Sequence, residues 1–260
     1  MLKLYFQTVV LLLFAAGLHA QDTSASSAEE LAKKLANPVA SLISLPFQSN
    51  TDVGIGRFNG SRMVLNVQPV VPFSLSENWN LITRYIFPIV SQFDITDENT
   101  SQSGLGDAVV SGFFSPKNSA VTWGVGPAFL LPTATEKALG SEKFGVGPSV
   151  VALKQSNGWT YGGLANHIVS VAGSDVNATF LNPFVTYNWK SGAGLSAVLE
   201  YTHDWENDVD VTMFAFPSFS GVTKFGKQTV SFGISPRWHF APETRPRYGV
   251  RAAVTAVFPK

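Results

Sequence analysis

The last stretch of the chain, RYGVRAAVTAVFPK at Arg247–Lys260, admits few folds. In an extended strand Tyr248, Val250, Ala252, Val254, Ala256 and Phe258 share one face, and Arg247, Gly249, Arg251, Ala253 and Thr255 share the other. An apolar face opposite a small or polar one, with an aromatic residue near each end, is the pattern of a transmembrane β-strand. No strand edge can stay unpaired in a bilayer, so a chain ending on such a strand implies a barrel that closes there.

The opening of the chain agrees. Met1–Ala20 carries one Lys, a short apolar core and Leu-His-Ala before Gln21, the outline of a secretory signal cleaved after Ala20. Its uninterrupted apolar run, Thr8–Leu18, is shorter than the roughly 20 residues of a helical span. No later stretch has the length of such a span either. Charged residues make up 14%, against the usual quarter, and 45% of the chain is hydrophobic, dispersed through two-faced strands. Lys plus Arg equals Asp plus Glu at 18 each, so no basic surface points to nucleic acid. The absence of Cys excludes a disulfide scaffold and thiolate metal sites. Export, no helical span and alternating strands together indicate the bacterial outer membrane.

Three regions follow: a signal peptide over 1–20, an N-terminal helical segment over 21–38, and a β-barrel over 39–260. In the second, Ser27-Ala28-Glu29-Glu30 fits a capping box ahead of Leu31, Ala32 and Leu35, and Asn37-Pro38 ends the helix. Two to three turns are marginal in water, so this helix either frays as a disordered leader or packs as a plug or periplasmic cap. The barrel reads as an all-β, antiparallel transmembrane barrel of about twelve strands: Val39–Gln48, Arg62–Phe73, Asn78–Phe93, Gly104–Phe114, Ala120–Pro132, Phe144–Lys154, Trp159–Val171, Val176–Trp189, Gly194–Trp205, Val209–Phe219, Gln228–Phe240 and Tyr248–Phe258. Inner turns such as Ser74–Glu77 and Gln155–Gly158 are compact, whereas outer connections such as Ser49–Ser61, Asp94–Ser103 and Thr133–Lys143 are longer. The alternation weakens at a short outer Gly173–Asp175 and a long inner Ser220–Lys227, leaving ten or fourteen strands open.

With the apolar face outward, Asn66, Gln68, Arg84, Asp107, Asn182, Glu200, Arg237 and Arg251 point into the lumen. Charges at mid-strand would cost a few kcal/mol each against lipid. Inside a barrel they either pair and fill a narrow interior or form a constriction that selects solutes. Trp79, Trp123, Trp159, Trp189, Trp205 and Trp238 all fall near strand ends, as an interfacial aromatic girdle requires.

No catalytic site is expected. His167 and Ser170 are three apart and so lie on opposite strand faces, where they cannot form a nucleophile–base pair. Asp204, Glu206, Asp208 and Asp210 read as a solvated loop, with calcium the weaker alternative. No phosphate loop, zinc spacing or cofactor motif is present, so no cofactor and no metal is expected.

The chain resembles the bacterial outer-membrane family named for the meta-pathway of phenol degradation, often labelled transporters and sometimes mislabelled neuromedin U. The resemblance lies in LANPVASLISLPFQSN at Leu35–Asn50, NVQPVVPFSLSENWNLITR at Asn66–Arg84, GLGDAVVSGFFSP at Gly104–Pro116 and GVGPAFLLPTAT at Gly124–Thr135. It continues in FGVGPSVVAL at Phe144–Leu153, NHIVSVAG at Asn166–Gly173, FLNPFVTYNW at Phe180–Trp189 and the closing strand. It implies an outer-membrane barrel that passes small molecules, hydrophobic or aromatic compounds among them, and it brings no ligand residues. The expectation is a monomeric channel or passive transporter in contact with outer-membrane lipid, inserted by the assembly machinery through its C-terminal strand. The alternatives are a lipid-modifying hydrolase and a closed structural barrel. The inward polar residues favour small polar solutes, in tension with that family's hydrophobic ones.

Overall fold

The computed structural model describes residues 25–171, 176–226, 228–242 and 245–258. The expected signal sequence at 1–20, residues 21–24 of the helical segment and the connection Gly173–Asp175 lie outside them, as does the side chain of Ser27.

After one helix, α1 (Ala25–Leu35), the chain forms fourteen strands. They are β1 (Ile43–Ile55), β2 (Gly60–Val67), β3 (Val70–Ser74), β4 (Trp79–Phe93), β5 (Ser101–Leu105), β6 (Ala108–Pro116) and β7 (Thr122–Leu131). The second half holds β8 (Gly145–Ser156), β9 (Trp159–Ser170), β10 (Asn177–Asn188), β11 (Gly194–Asp204), β12 (Val209–Phe225), β13 (Gln228–Ala241) and β14 (Tyr248–Phe258).

Every pairing is antiparallel between neighbours, and β14 returns to β1 from Ile43 opposite Phe258 to Val53 opposite Tyr248. Two staves are interrupted. β2 and β3 lie between β1 and β4, divided at Gln68-Pro69, and β5 and β6 lie along β4, divided at Gly106-Asp107. Fourteen strands therefore make a closed barrel of twelve staves, the all-β architecture expected from the sequence. Proline explains the first break, because Pro69 has no N–H to give to the ladder. At the second, Thr135 exchanges backbone and side-chain bonds with Leu105, covering the edge of β5 that β7 leaves unpaired.

The two-residue period decides the faces. In β4, Asn80, Ile82, Val90 and Gln92 are buried, whereas Trp79, Phe87, Ile89 and Phe93 are exposed. On the outside Phe47, Phe114, Val125, Val150, Leu181, Phe219 and Val254 continue an apolar belt around the barrel. A patch of that extent is a liability in water and the required surface in a bilayer. Fold and belt together place the protein in the bacterial outer membrane.

Several boundaries differ from the sequence reading: the first strand, expected from Val39, begins at Ile43, and Val39–Leu42 lies outside the ladder. β1 runs to Ile55, so the connection expected over Ser49–Ser61 shrinks to a tight turn at Gly56–Asn59. Asn50 and Asp52 look like loop residues in a linear sequence, but both are buried inside the ring. Likewise β12 continues to Phe225 and turns at Gly226 (φ +60°), which removes the long inner turn expected at Ser220–Lys227. Its Ser220 and Val222 line the interior. Asn157 and Gly158 both have positive φ between Ser156 and Trp159, the two-residue hairpin such a turn favours.

Candidate functional site

The barrel interior is the candidate site, and its inward residues can be identified from contacts that cross the ring. Arg251 on β14 and Glu200 on β11 are separated by two strands, roughly 14 Å of wall at ordinary strand spacing. Their side chains nevertheless meet at 2.8 Å, which is possible only through the lumen. Arg237 on β13 reaches over β14 to Asp52 on β1, and His239 Nε2 lies 3.0 Å from the other oxygen of the same carboxylate. Arg251 Nε also donates to Asn50 Oδ1 at 2.7 Å. Further round, Arg62 Nε donates to Gln92 Oε1 at 2.8 Å, and Gln92 Nε2 to Gln102 Oε1 at 2.9 Å. These groups form a polar belt in the half of the barrel nearer the longer connections.

The other half, nearer the short turns, is different. Inward Ile82, Phe113, Val151, Leu153 and Leu164 form one buried apolar cluster, with Val70, Phe180 and Phe184 packed against it. The cluster also contains Val39, which precedes the first strand and is only 4% exposed. The N-terminal segment is therefore seated inside the mouth of the barrel. Asn37 organises its path: Asn37 Oδ1 accepts from Val39 N at 2.9 Å, and Asn37 O from Ala40 N at 3.1 Å. Asn80 Nδ2 donates to Ser41 Oγ, and Gln155 Nε2 to the Lys33 carbonyl, tying both ends of the segment to the wall. Gly192 (φ +83°) lets the β10–β11 turn approach α1, since a Cβ there would lie 3.0 Å from that of Ala28.

Between the segment and the wall lies a cavity of about 320 Å³, with Arg84, Leu164, Asn182 and Asn188 among its lining residues. A second cavity of about 220 Å³ shares Ser196, Ser220, Ser231 and Thr255 with the first and reaches Arg251. A hydroxyl-bearing track along β11–β14 thus joins the seated segment to the polar belt.

The residues singled out from the sequence distribute as follows. Glu200 and Arg251 meet each other, and Arg237 joins the belt through Asp52. Arg84 Nη2 donates to Gln68 Oε1 at 2.9 Å, so this pair meets in the turn half. Asn182 Nδ2 donates to the Leu199 carbonyl on the adjacent strand, and Asn66 stands opposite Gln48 and Pro88. Asp107 sits at the β5–β6 break. Its carboxylate accepts from Ala134 N, Ser141 N and Ser141 Oγ, so it pins the connection over Thr133–Lys143.

Asn50, Asp52, Arg62, Gln92 and Val39 were missed by sequence reasoning. The usable signal was that Gln48, Asn50 and Asp52 keep the period of two beyond the assigned end of the first strand.

Trp79, Trp123, Trp159 and Trp189 gather at the turn end. Trp79 lies edge-on to Trp123 at 5.8 Å, and Tyr187 lies between Trp159 and Trp189. Trp205 and Trp238 stand at the loop end, donating from Nε1 to Thr179 Oγ1 and to the Phe216 carbonyl. His167 Nδ1 lies 2.9 Å from that Thr179 hydroxyl, and His203 Nδ1 lies 2.9 Å from Asp210, which also accepts from Tyr201. Asp204 is taken up by the turn it starts, accepting from Glu206 N, Asn207 N and Asn207 Nδ2.

No protein-family profile and no curated protein sequence matches the chain. Solved structures do. An outer membrane channel from Pseudomonas putida F1 superposes with a TM-score of 0.65 at 13% identity, covering 86% of this chain and 98% of that one. The outer membrane phospholipase A from Escherichia coli reaches 0.45 at 11% identity, covering 82% and 96%. The β domain of the Bordetella autotransporter BrkA reaches 0.47 at 11%, covering 84% and 100%. At these identities the channel shows a shared fold, and the other two are too distant in shape to argue from. What the chain has in common with the Pseudomonas protein is the architecture of an outer-membrane β-barrel.

Proposed function

We propose that this protein is an outer-membrane channel for small solutes, with its periplasmic mouth narrowed by the segment Ala25–Leu42. The observation that carries the reading is the pair of adjoining cavities leading from the seated segment to the Arg251–Glu200 pair. A barrel that served only as a scaffold would gain by filling that space with side chains, because unfilled interior volume costs stability. Instead Ser196, Ser218, Ser220, Ser231 and Thr255 surround it with short hydroxyl groups. The short-turn end is assigned to the periplasm because turns there are compact in barrels of this kind. The N-terminal segment is then the inner gate, held by Val39 and by a few hydrogen bonds. The aromatic residues at both ends are its interfacial girdle. The family resemblance agrees with a role in passing small organic molecules.

Planar-bilayer recording tests this. Deleting residues 25–37 in the mature protein, together with Val39→Ser, is expected to raise single-channel conductance several-fold. A sealed barrel before and after the change would overturn the proposal.

A further inference from the structure

We infer that the turn half of the lumen binds a small monocarboxylate with an apolar body, and that Arg84 is its anion anchor. As a station on a permeation route this rests on the channel reading above.

The charges of the inner face point to Arg84. Of its four arginines, Arg237 holds Asp52 and Arg251 holds Glu200. Arg62 stands directly opposite Asp52 in the β1–β2 register. Arg84 stands opposite Val70 and Ser111 and has no carboxylate within 4.0 Å among the described residues. Its described hydrogen bond goes to the neutral amide of Gln68. A guanidinium has five N–H donors in a rigid fork, so most of its capacity remains for a ligand. The opposite charge within its reach is Glu200, which is already bound to Arg251 at 2.8 Å, so a bound anion would offset what burying the Arg84 guanidinium costs.

The cavity beside Arg84 has matching chemistry. Lys34 and Arg84 line it, and no Asp or Glu does. Asn188 lines it from a strand nearly across the ring; it is 3% exposed, and its Nδ2 has no partner. It is a second buried donor unpaired among the described residues, on a residue that borders the same space. The remaining surface includes Leu35, Leu42, Val70 and Leu164. At about 320 Å³ the cavity is at the lower end of the range for small-molecule sites, roughly 300–1,000 Å³. Two cationic side chains, no carboxylate and a partly apolar lining fit a carboxylate on a short aliphatic or single-ring body. A bare inorganic anion would leave the hydrocarbon unused, and a metal cation would meet like charge.

The test is calorimetric titration of the full mature protein in detergent with hexanoate and benzoate, against 1-hexanol, benzyl alcohol and inorganic phosphate. The carboxylates are expected to bind at least tenfold tighter than the matched alcohols and than phosphate. Arg84→Gln is expected to abolish that preference and Arg84→Lys to keep most of it, with heat-modifiable gel mobility showing that each barrel is closed. Equal binding of acid and alcohol by the parent protein would overturn the inference without any variant, as would phosphate binding as tightly as hexanoate. An acid preference surviving Arg84→Gln would overturn the assignment of Arg84. Conductance in planar bilayers without carboxylate binding sinks this inference alone, whereas carboxylate binding without conductance sinks the channel reading and leaves the site.

Discussion

The two halves of the lumen solve the same problem by opposite means. Toward the long connections, inward charges are satisfied by one another: Asp52 takes Arg237 and His239, and Glu200 takes Arg251. Toward the short turns, inward Ile82, Phe113 and Val151 are satisfied by covering them, and the cover includes Val39 from the segment that precedes β1. Ion pairs need geometry and lose much when one partner goes, whereas apolar contacts are non-directional and tolerate a movable lid. The belt is therefore the rigidly paired half, and the greasy half the one whose contacts tolerate displacement.

Breaking that contrast at the belt is expected to have the largest effect. Asp52→Leu leaves Arg237 and His239 facing each other without a counter-charge, and a loss of about 3–5 kcal/mol is expected, as for other broken buried pairs. Urea unfolding in lipid vesicles measures it. Removing both members of the other pair, Glu200→Gln with Arg251→Met, is expected to cost less, within about 1–2 kcal/mol, because the contact partners go together and only the longer-range attraction of Glu200 for Arg84 and Arg237 is lost. A double variant as damaging as Asp52→Leu would show that the belt acts as one indivisible network.

The greasy half gives a smaller and more local response. Ile82→Ala removes a side chain that is 1% exposed and is expected to cost about 2–4 kcal/mol through the cavity it leaves. Phe114→Ala, on the lipid face of the neighbouring strand β6, leaves no interior void and is expected to cost less than Ile82→Ala in the same vesicles. If the two were equal, the inner cluster would not be packed as a core. The smallest effect belongs to α1: breaking the Glu29–Lys33 pair with Glu29→Gln is expected to cost at most about 0.5 kcal/mol.

Much of this was legible in the linear sequence. The alternation in Gln228–Phe240 and Tyr248–Phe258 sorted side chains to the correct faces, and the tryptophans marked the strand ends. The errors share one cause. Gln48–Ile55 and Ser220–Phe225 are rich in polar and small residues, which in a water-soluble protein signal a loop. Inside a polar lumen such residues are ordinary strand positions, so composition misled where period did not. Asp107 is a separate case: period assigns it to the inner face, whereas its bonds to Ser141 and Ala134 depend on how a connection folds back.

What the sequence determined by itself is what a period of two can encode: strands, their two faces and the requirement that the ring close. Those are local properties of an extended chain beside hydrocarbon, and each strand carries them independently. The tertiary structure alone decided which inward groups meet. Arg251 finds Glu200 and Arg237 finds Asp52 across intervening strands because the wall curves into a ring narrow enough for side chains to span it. It also decided that Val39 lies within the barrel, since a short apolar segment has no address until a cavity of its own size and polarity has been built around it.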